Sequence, residues 1–479
     1  MSVQEGGKSK KYELVPPDGG WGYMIWIAVV INLVATSAFL GCFGIIFKEL
    51  FIQLEMGSTH INLLNGINSI CISVSGFMTG PLLKFISMRK VGFIAAIFMN
   101  LGSFGTIFVN SQLTFFLCYG IVQPIGIGIL YNISYSSIND YFVKRRLISL
   151  SLTQSVAAIV SFLSPQFVEI TLEVYGYRGA YVLLAAINMQ TFVAVSLMQP
   201  VDLHLKKVEV ITVEENEMKL LMVDDQSCEI PTVKLSNKKR NSGYSDQKQE
   251  KDLKLHVTEK KSKGIKELIL EALDVSLMKS FLLSNAALGV ALCLFADVTF
   301  SFILPQALYT MNWTEGEVAW AVSLSSLGDL VTRVMFIIFS NSLLRFEIQQ
   351  IYIVGLFVAF ITRIGILASE NFTVVLIFLA LIGTSRCILV VLMPLVIADA
   401  VQPEQFTSAM GIFMLAYGCI NLLLGPAIGA IRDLTDSYAT AIYVLNSCFA
   451  IVIIFWLIEI CYKKNKHKRQ PKKNEPKKR

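Results

Sequence analysis

The sequence predicts an all-α membrane protein of twelve transmembrane helices arranged as two six-helix bundles. Three observations carry that prediction. Of the 479 residues 54% are hydrophobic and only 16% charged, where a soluble chain carries roughly a quarter charged. The charges concentrate near 200–275 and in the final segment after 461. What remains reads as apolar runs of about twenty residues, each long enough to cross a hydrocarbon core about 30 Å thick.

The runs fall near 22–47, 61–83, 91–109, 113–138, 147–170 and 178–198, then near 278–309, 317–341, 348–368, 373–400, 406–431 and 437–461. The expected organisation is therefore a tail (1–20), a six-helix bundle (21–198), a linker (199–276), a second bundle (277–461) and a basic tail (462–479). Met1–Val15 is polar and has no apolar core of a signal peptide. The linker is rich in Lys, Glu, Asp and Ser, a composition that stays disordered and tolerates phosphorylation at its serines.

Lys and Arg in short loops set the orientation. Lys84, Arg89 and Lys90 lie between spans two and three, and Lys144, Arg145 and Arg146 between four and five. With the linker and the Lys463, Lys464, Lys466, Lys468, Arg469 tail they share one side, which places both termini in the cytoplasm. Two glycosylation sequons, starting at Asn312 and Asn371, fall in loops on the other face and favour the plasma membrane. The basic tail serves topology or contacts anionic headgroups of the lipid bilayer.

Several classes are disfavoured. Seven of the nine cysteines, Cys42, Cys71, Cys118, Cys293, Cys387, Cys419 and Cys448, lie in apolar runs, where a thiol acts as a small hydrophobe. No zinc-type spacing is present, so no metal or cofactor is expected. Neither a nucleophile–base arrangement nor a phosphate loop suggests an enzyme. A channel's ring of like charges is missing too, and nothing points to nucleic acid.

The first span opens on Pro16-Pro17-Asp18-Gly19-Gly20-Trp21-Gly22-Tyr23. Read physically, Asp18 caps the helix, the glycines allow a sharp turn and Trp21 anchors at the interface. Before span five stands Tyr141-Phe142-Val143-Lys144-Arg145-Arg146; before span six, Tyr175-Gly176-Tyr177-Arg178-Gly179; in span eleven, Gly425-Pro426 with Gly429 and Asp433. These runs resemble the monocarboxylate transporter family of the major facilitator superfamily, in which D-G-G-W-G opens the first helix and Y-F-x-K-R-R leads into the fifth. Ser151 and Val156 stand where family members usually carry glycine. The resemblance implies the superfamily fold and a secondary carrier working by alternating access, and for some members a single-span glycoprotein partner.

Ionisable residues deep in a bilayer cost about 2.5–3.5 kcal/mol each on insertion scales and therefore need a partner or a polar cavity. Five qualify: Asp297, Asp329, Arg333, Arg363 and Arg386. Asp329 and Arg333, at i and i+4, share a helix face within pairing reach. The same pair occurs in the family, and the resemblance implies that Arg333 binds a substrate carboxylate while Asp329 takes part in proton coupling. It also places spans one, four, seven and ten around the cavity, so Asp297 and Arg386 face the substrate and can pair. The formal charges of Asp297, Asp329, Arg333 and Arg386 cancel, which suits a zwitterion or an anion with a proton. Arg363 is expected at the periphery, snorkelling to an interface. Tyr131, Asn132, Phe295 and Phe300 line the pocket or simply pack.

Aligned from the first motif, the lysine of the family's lactate and pyruvate carriers falls on Gly41. Three readings stay open: a carrier of small monocarboxylates with or without a proton, a facilitative carrier of amino-acid-like or larger organic solutes, and a solute sensor on the same fold.

Overall fold

The structure is a computed structural model and describes residues 11–39, 42–56, 58–210, 275–343, 345–369 and 371–469. The chain divides into two units. The first takes in 1–16 and 205–271 and, among its described residues, holds one antiparallel strand pair, β1 (Lys11–Val15) with β2 (Lys206–Val210). Lys11 stands opposite Val210 and Val15 opposite Lys206. The pair departs from the expected unstructured tail and linker; its charged–apolar alternation has the period of a strand. Gly41, linker residues 211–274 and tail residues 470–479 lie outside the described residues.

The second unit holds the helices. In its first half these are α1 (Gly22–Ser37), α2 (Ser58–Leu83), α3 (Met88–Ile107) and α4 (Gln112–Tyr141). A run of 52 residues, Arg146–Leu197, breaks at Gly176, where φ is 64° and ψ −178°, a conformation suited to glycine. It gives α5 (146–175) and α6 (177–197). The second half comprises α7 (Asn285–Thr310), α8 (Glu315–Ile338), α9 (Ile348–Ala368), α10 (Phe372–Ala400), α11 (Phe406–Thr435) and α12 (Tyr438–Arg469). Among the described residues ten continuous helices are long and apolar enough to cross a membrane, the 52-residue run counting once. α1, of 16 residues, is shorter.

The first predicted span is not one helix. α1 ends at Ser37, and short helices Phe43–Ile46 and Lys48–Gln53 follow. Thr36 and Ser37 turn their hydroxyls back onto the carbonyls of Asn32 and Leu33, a local bond that competes with the helix ladder. The carbonyl of Ala38 is satisfied by Ser164 Oγ of α5 at 3.1 Å.

α2 packs on α11, and the 52-residue run on α8, which joins the first six helices to the last six. Small residues let α2 and α11 approach closely. A Cβ on Gly411 would stand 3.0 Å from the Gly76 carbonyl oxygen, and one on Gly80 2.9 Å from Ser408 Cα. Asn132 of α4 crosses the same seam, donating to the carbonyls of Gly76 (2.8 Å) and Thr407 (3.2 Å). These contacts lie in the part of the bundle nearest the start of α1, as their places late in α2 and early in α11 require.

Candidate functional site

The two sequence motifs meet although more than a hundred residues separate them. Asp18 adopts φ 47°, and its Oδ1 accepts the backbone N–H groups of Val143 (2.8 Å), Lys144 (3.0 Å) and Arg145 (3.4 Å). The expected capping of α1 by Asp18 is therefore corrected: the carboxylate closes the turn into α5, and Trp21 occupies the N-cap position of α1 without a side-chain cap bond. Trp21 is likewise tied into the protein. Its Nε1 donates to the Leu197 carbonyl at 3.3 Å, and its ring stacks on His204 at 5.1 Å. Gly20 takes φ 60°, and a Cβ on Gly22 would meet the Phe142 ring at 3.2 Å. Tyr141 donates to the Gln199 carbonyl, Arg145 Nη1 to Tyr23 Oη and Arg146 Nε to the Phe142 carbonyl. Together these bonds join the start of α1, the α4–α5 turn and the end of α6.

The charges form two clusters. In the first, Arg333 grips both carboxylate oxygens of Asp329, Nε to Oδ2 at 2.8 Å and Nη2 to Oδ1 at 3.2 Å, as the i, i+4 spacing predicts. Its third donor, Nη1, reaches Gln154 Oε1 of α5 at 2.9 Å, in the other half. Gln154 Nε2 in turn donates to Tyr135 Oη of α4 at 3.3 Å and to the Val390 carbonyl of α10 at 3.4 Å. Each of the three Arg333 nitrogens is thus engaged. The pair is largely buried, with side chains 8% and 14% exposed.

The second cluster centres on Asp297 of α7, and here Arg363 must be corrected. It does not snorkel: it is buried, and its Nη2 donates to Asp297 Oδ1 at 2.6 Å. Its Nη1 donates to the Ala359 carbonyl, and its Cζ lies 4.6 and 4.5 Å from the ring centroids of Phe300 and Phe449. Two aromatic faces make such a burial tolerable for a guanidinium. The second carboxylate oxygen, Oδ2, makes no hydrogen bond among the described residues. Arg386 Nε of α10 stands 3.7 Å from it, an ionic contact too long for a hydrogen bond. The Arg386 side chain is 44% exposed and donates through Nη1 to Ser301 Oγ at 3.1 Å. Arg386 is thus the exposed and loosely held member of this cluster.

Adding Arg363 changes the charge count. Two carboxylates, Asp297 and Asp329, now face three guanidiniums, Arg333, Arg363 and Arg386. The expected cancellation gives way to one surplus positive charge, carried by the most exposed of the three.

With this geometry in place, the comparisons with known proteins become decisive. The family model described as Major Facilitator Superfamily matches residues 19–264 and 286–479. The chain belongs to the Major Facilitator Superfamily. It is a multi-pass membrane protein and a secondary transporter rather than an enzyme. The resemblance to monocarboxylate transporters holds along nearly the whole chain. Monocarboxylate transporter 1 of Bos taurus is 23% identical over 443 residues, covering 92% of this chain and 84% of that one. Monocarboxylate transporter 12-B of Danio rerio is 24% identical over 455 residues, with 93% and 88% covered. Among solved structures, FucP in the outward conformation superposes with a TM-score of 0.61 at 14% identity, covering 91% of this chain and 99% of that one. The proton:xylose symporter XylE gives 0.58 at 13% identity, with 91% and 95% covered. At such identities these structures speak for the fold alone.

Several residues of this transporter escaped the sequence reading. Gln154 and Ser301 are ordinary polar residues in apolar helices, and only their juxtaposition with an arginine singles them out. Phe300, left open between pocket and packing, holds Arg363. The two sequon loops are neighbours: the Trp313 and Phe372 rings pack at a tilt of 45° with centroids 4.8 Å apart, and Asn312 and Asn371 are both exposed. Asn371 also caps α10, accepting the Thr373 N–H at 3.0 Å.

Proposed function

We propose that this transporter carries a small organic monoanion, a monocarboxylate in the first instance, by alternating access between two six-helix halves, 21–198 and 277–461. The observation that carries the reading is Arg386: 44% exposed on the tenth span, which the family resemblance puts at the cavity, loosely held by Asp297, and bearing the one charge that the carboxylates of the site do not balance. A guanidinium in that state is a natural partner for a carboxylate. The names of the curated relatives, monocarboxylate transporters 1 and 12-B, favour the same substrate class.

In this reading Arg333 and Asp329 work at the junction of the halves. Their bond to Gln154 belongs to the state closed near the start of α1, and it must part when that side opens. A proton on Asp329 would weaken the fork on Arg333, which is where coupling would enter if the carrier is a symporter. The surplus charge favours movement of the anion without a proton. Both termini face the cytoplasm, the protein resides in the plasma membrane, and Asn312 and Asn371 face outward. A single-span glycoprotein partner and contact of the basic tail with anionic lipid fit that location.

The test is uptake of labelled lactate, pyruvate and short-chain acids by cells with low background, at pH 6 and 7.5, after surface expression is confirmed. The expected result is carboxylate uptake that varies little with pH and is lost in Arg386→Gln. A monoanion crossing alone also moves one charge, so uptake should rise on depolarisation, with about 2.3 kcal/mol at stake per 100 mV. Uptake strongly stimulated at pH 6 would instead make the carrier a proton symporter coupled through Asp329.

A further inference from the structure

Arg363 has no access to substrate, yet it is the charge that decides what the site can accept. We propose that Arg363 is a positioning residue that sets the charge of the binding site: by permanently neutralising Asp297 it leaves Arg386 available to the substrate anion and removes the need for a proton. The inference rests on the reading of Arg386 as the anion anchor.

The geometry separates the two arginines. Arg363 is bonded to Asp297 at 2.6 Å in a wholly buried place, with its guanidinium clamped between Phe300 and Phe449. Its Nη1 is held as well, by the Ala359 carbonyl at 3.0 Å. Arg386 touches the other oxygen only across 3.7 Å and is 44% exposed. Asp297 thus has one fixed partner inside the half and one loose partner at the cavity. With Arg363 in place, Arg386 leaves for a substrate carboxylate while Asp297 keeps its neutralising bond. Without Arg363, Arg386 becomes the nearest cation to a buried carboxylate and is drawn onto it. The cluster is then neutral, and an anion can occupy Arg386 only when a proton from the medium has bound Asp297. One buried guanidinium therefore separates an anion facilitator from a proton-dependent one.

Among the described residues Arg363 from α9 and Arg386 from α10 pair with Asp297, and Tyr352 from α9 and Tyr417 from α11 lie within electrostatic range of it. Cys293 lies on its own helix, and Cys448 of α12 is within electrostatic range of Cys293. Tyrosine and cysteine titrate near about 10 and 8.5 in water, above the range between pH 6 and 7.5. A new pH dependence within that range then reports on Asp297.

The experiment compares wild type, Arg363→Gln, Arg363→Lys and the double variant Asp297→Asn/Arg363→Gln, all full-length and corrected for surface amount, for uptake of labelled lactate, pyruvate and butyrate at pH 6 and 7.5. A carboxylate a few ångströms from the bound anion should weaken its binding by about tenfold or more. Arg363→Gln should lose about that factor at pH 7.5 and regain most of it at pH 6. Arg363→Lys keeps the charge and should stay nearly flat with pH. The double variant, which restores one surplus charge, should recover uptake without pH dependence. Arg363→Gln that is flat with pH, or a double variant at the surface as inactive as the single one, overturns the inference and leaves the carrier reading intact. Surface-expressed wild type that moves none of the acids defeats both, and the wild type alone reveals that outcome.

Discussion

Among the described residues two largely buried aspartate–arginine pairs, Asp329–Arg333 and Asp297–Arg363, lie in the same half, and they differ in what each arginine does with its remaining donors. Arg333 spans one turn of α8 to Asp329 and offers its third donor to Gln154 in the opposite half. Arg363 reaches from α9 to Asp297 on α7 and points its remaining surface at two phenyl rings of its own half. The bond that the first pair makes to Gln154 must part whenever the halves move apart there, whereas the contacts of the second stay inside one of them. Two pairs of identical composition are thereby suited to different tasks: one to report the state of the cycle, the other to fix a charge through all of it.

The sharpest way to break this comparison is to remove one partner from the static pair. Arg363→Met removes the 2.6 Å bond and leaves the buried Asp297 to Arg386, which is drawn onto it and offsets the loss only in part. Breaking a buried pair in this way costs about 3–5 kcal/mol, so the purified variant should unfold at a markedly lower temperature. Asp297→Leu with Arg363→Met replaces the pair by apolar bulk and should recover most of the loss, since such replacements are often neutral. A single variant as stable as wild type would show that Asp297 is not held by Arg363 in the membrane.

The Arg333 pair calls for a different measurement, because its third bond joins helices of the two halves. Gln154→Leu should leave thermal stability nearly unchanged while removing a hydrogen bond to a charged group, worth about 1.5–3 kcal/mol. That free energy would favour the state open on the side where α1 starts by about ten- to hundredfold. A cysteine at Ser408, which lies against Gly80 in the closed seam, should then react faster with a thiol reagent applied from that side. Equal reactivity in the two backgrounds would mean that Gln154 does not latch the halves.

The difference between the pairs also explains how much of the site the sequence disclosed. The helices were legible because an apolar run of spanning length has few alternatives. Asp329 and Arg333 were legible as a pair because one helix turn fixes their distance. Asp297 and Arg363 were legible only as separate residues that needed partners. Their meeting depends on how α7 packs beside α9, and no periodicity encodes that packing. Arg363 was assigned to the periphery because its helix is peripheral, although one face of a peripheral helix still looks inward. The break after Ser37 was hidden inside a continuous apolar run, since Thr36 and Ser37 count as neutral in composition and act through their hydroxyls. The two motifs were visible, but not the bond between them.

That bond allows the smallest and most local prediction. Asp18 serves the turn before α5 as a cap would, accepting three backbone N–H groups. Asp18→Ala leaves them without a side-chain acceptor at the exposed end of the bundle, where water replaces it in part. A lost cap of this kind costs about 1 kcal/mol, too little to unfold the protein. The effect should appear as faster proteolysis or hydrogen exchange confined to 141–146 and the start of α1, with α7 to α12 unchanged. Asp18→Asn keeps an acceptor oxygen in the same place and should retain most of the protection. If Asn proves as disruptive as Ala, the carboxylate's charge matters beside Lys144, Arg145 and Arg146. In that event the junction is electrostatic like the two pairs in the membrane, rather than a matter of hydrogen-bond geometry.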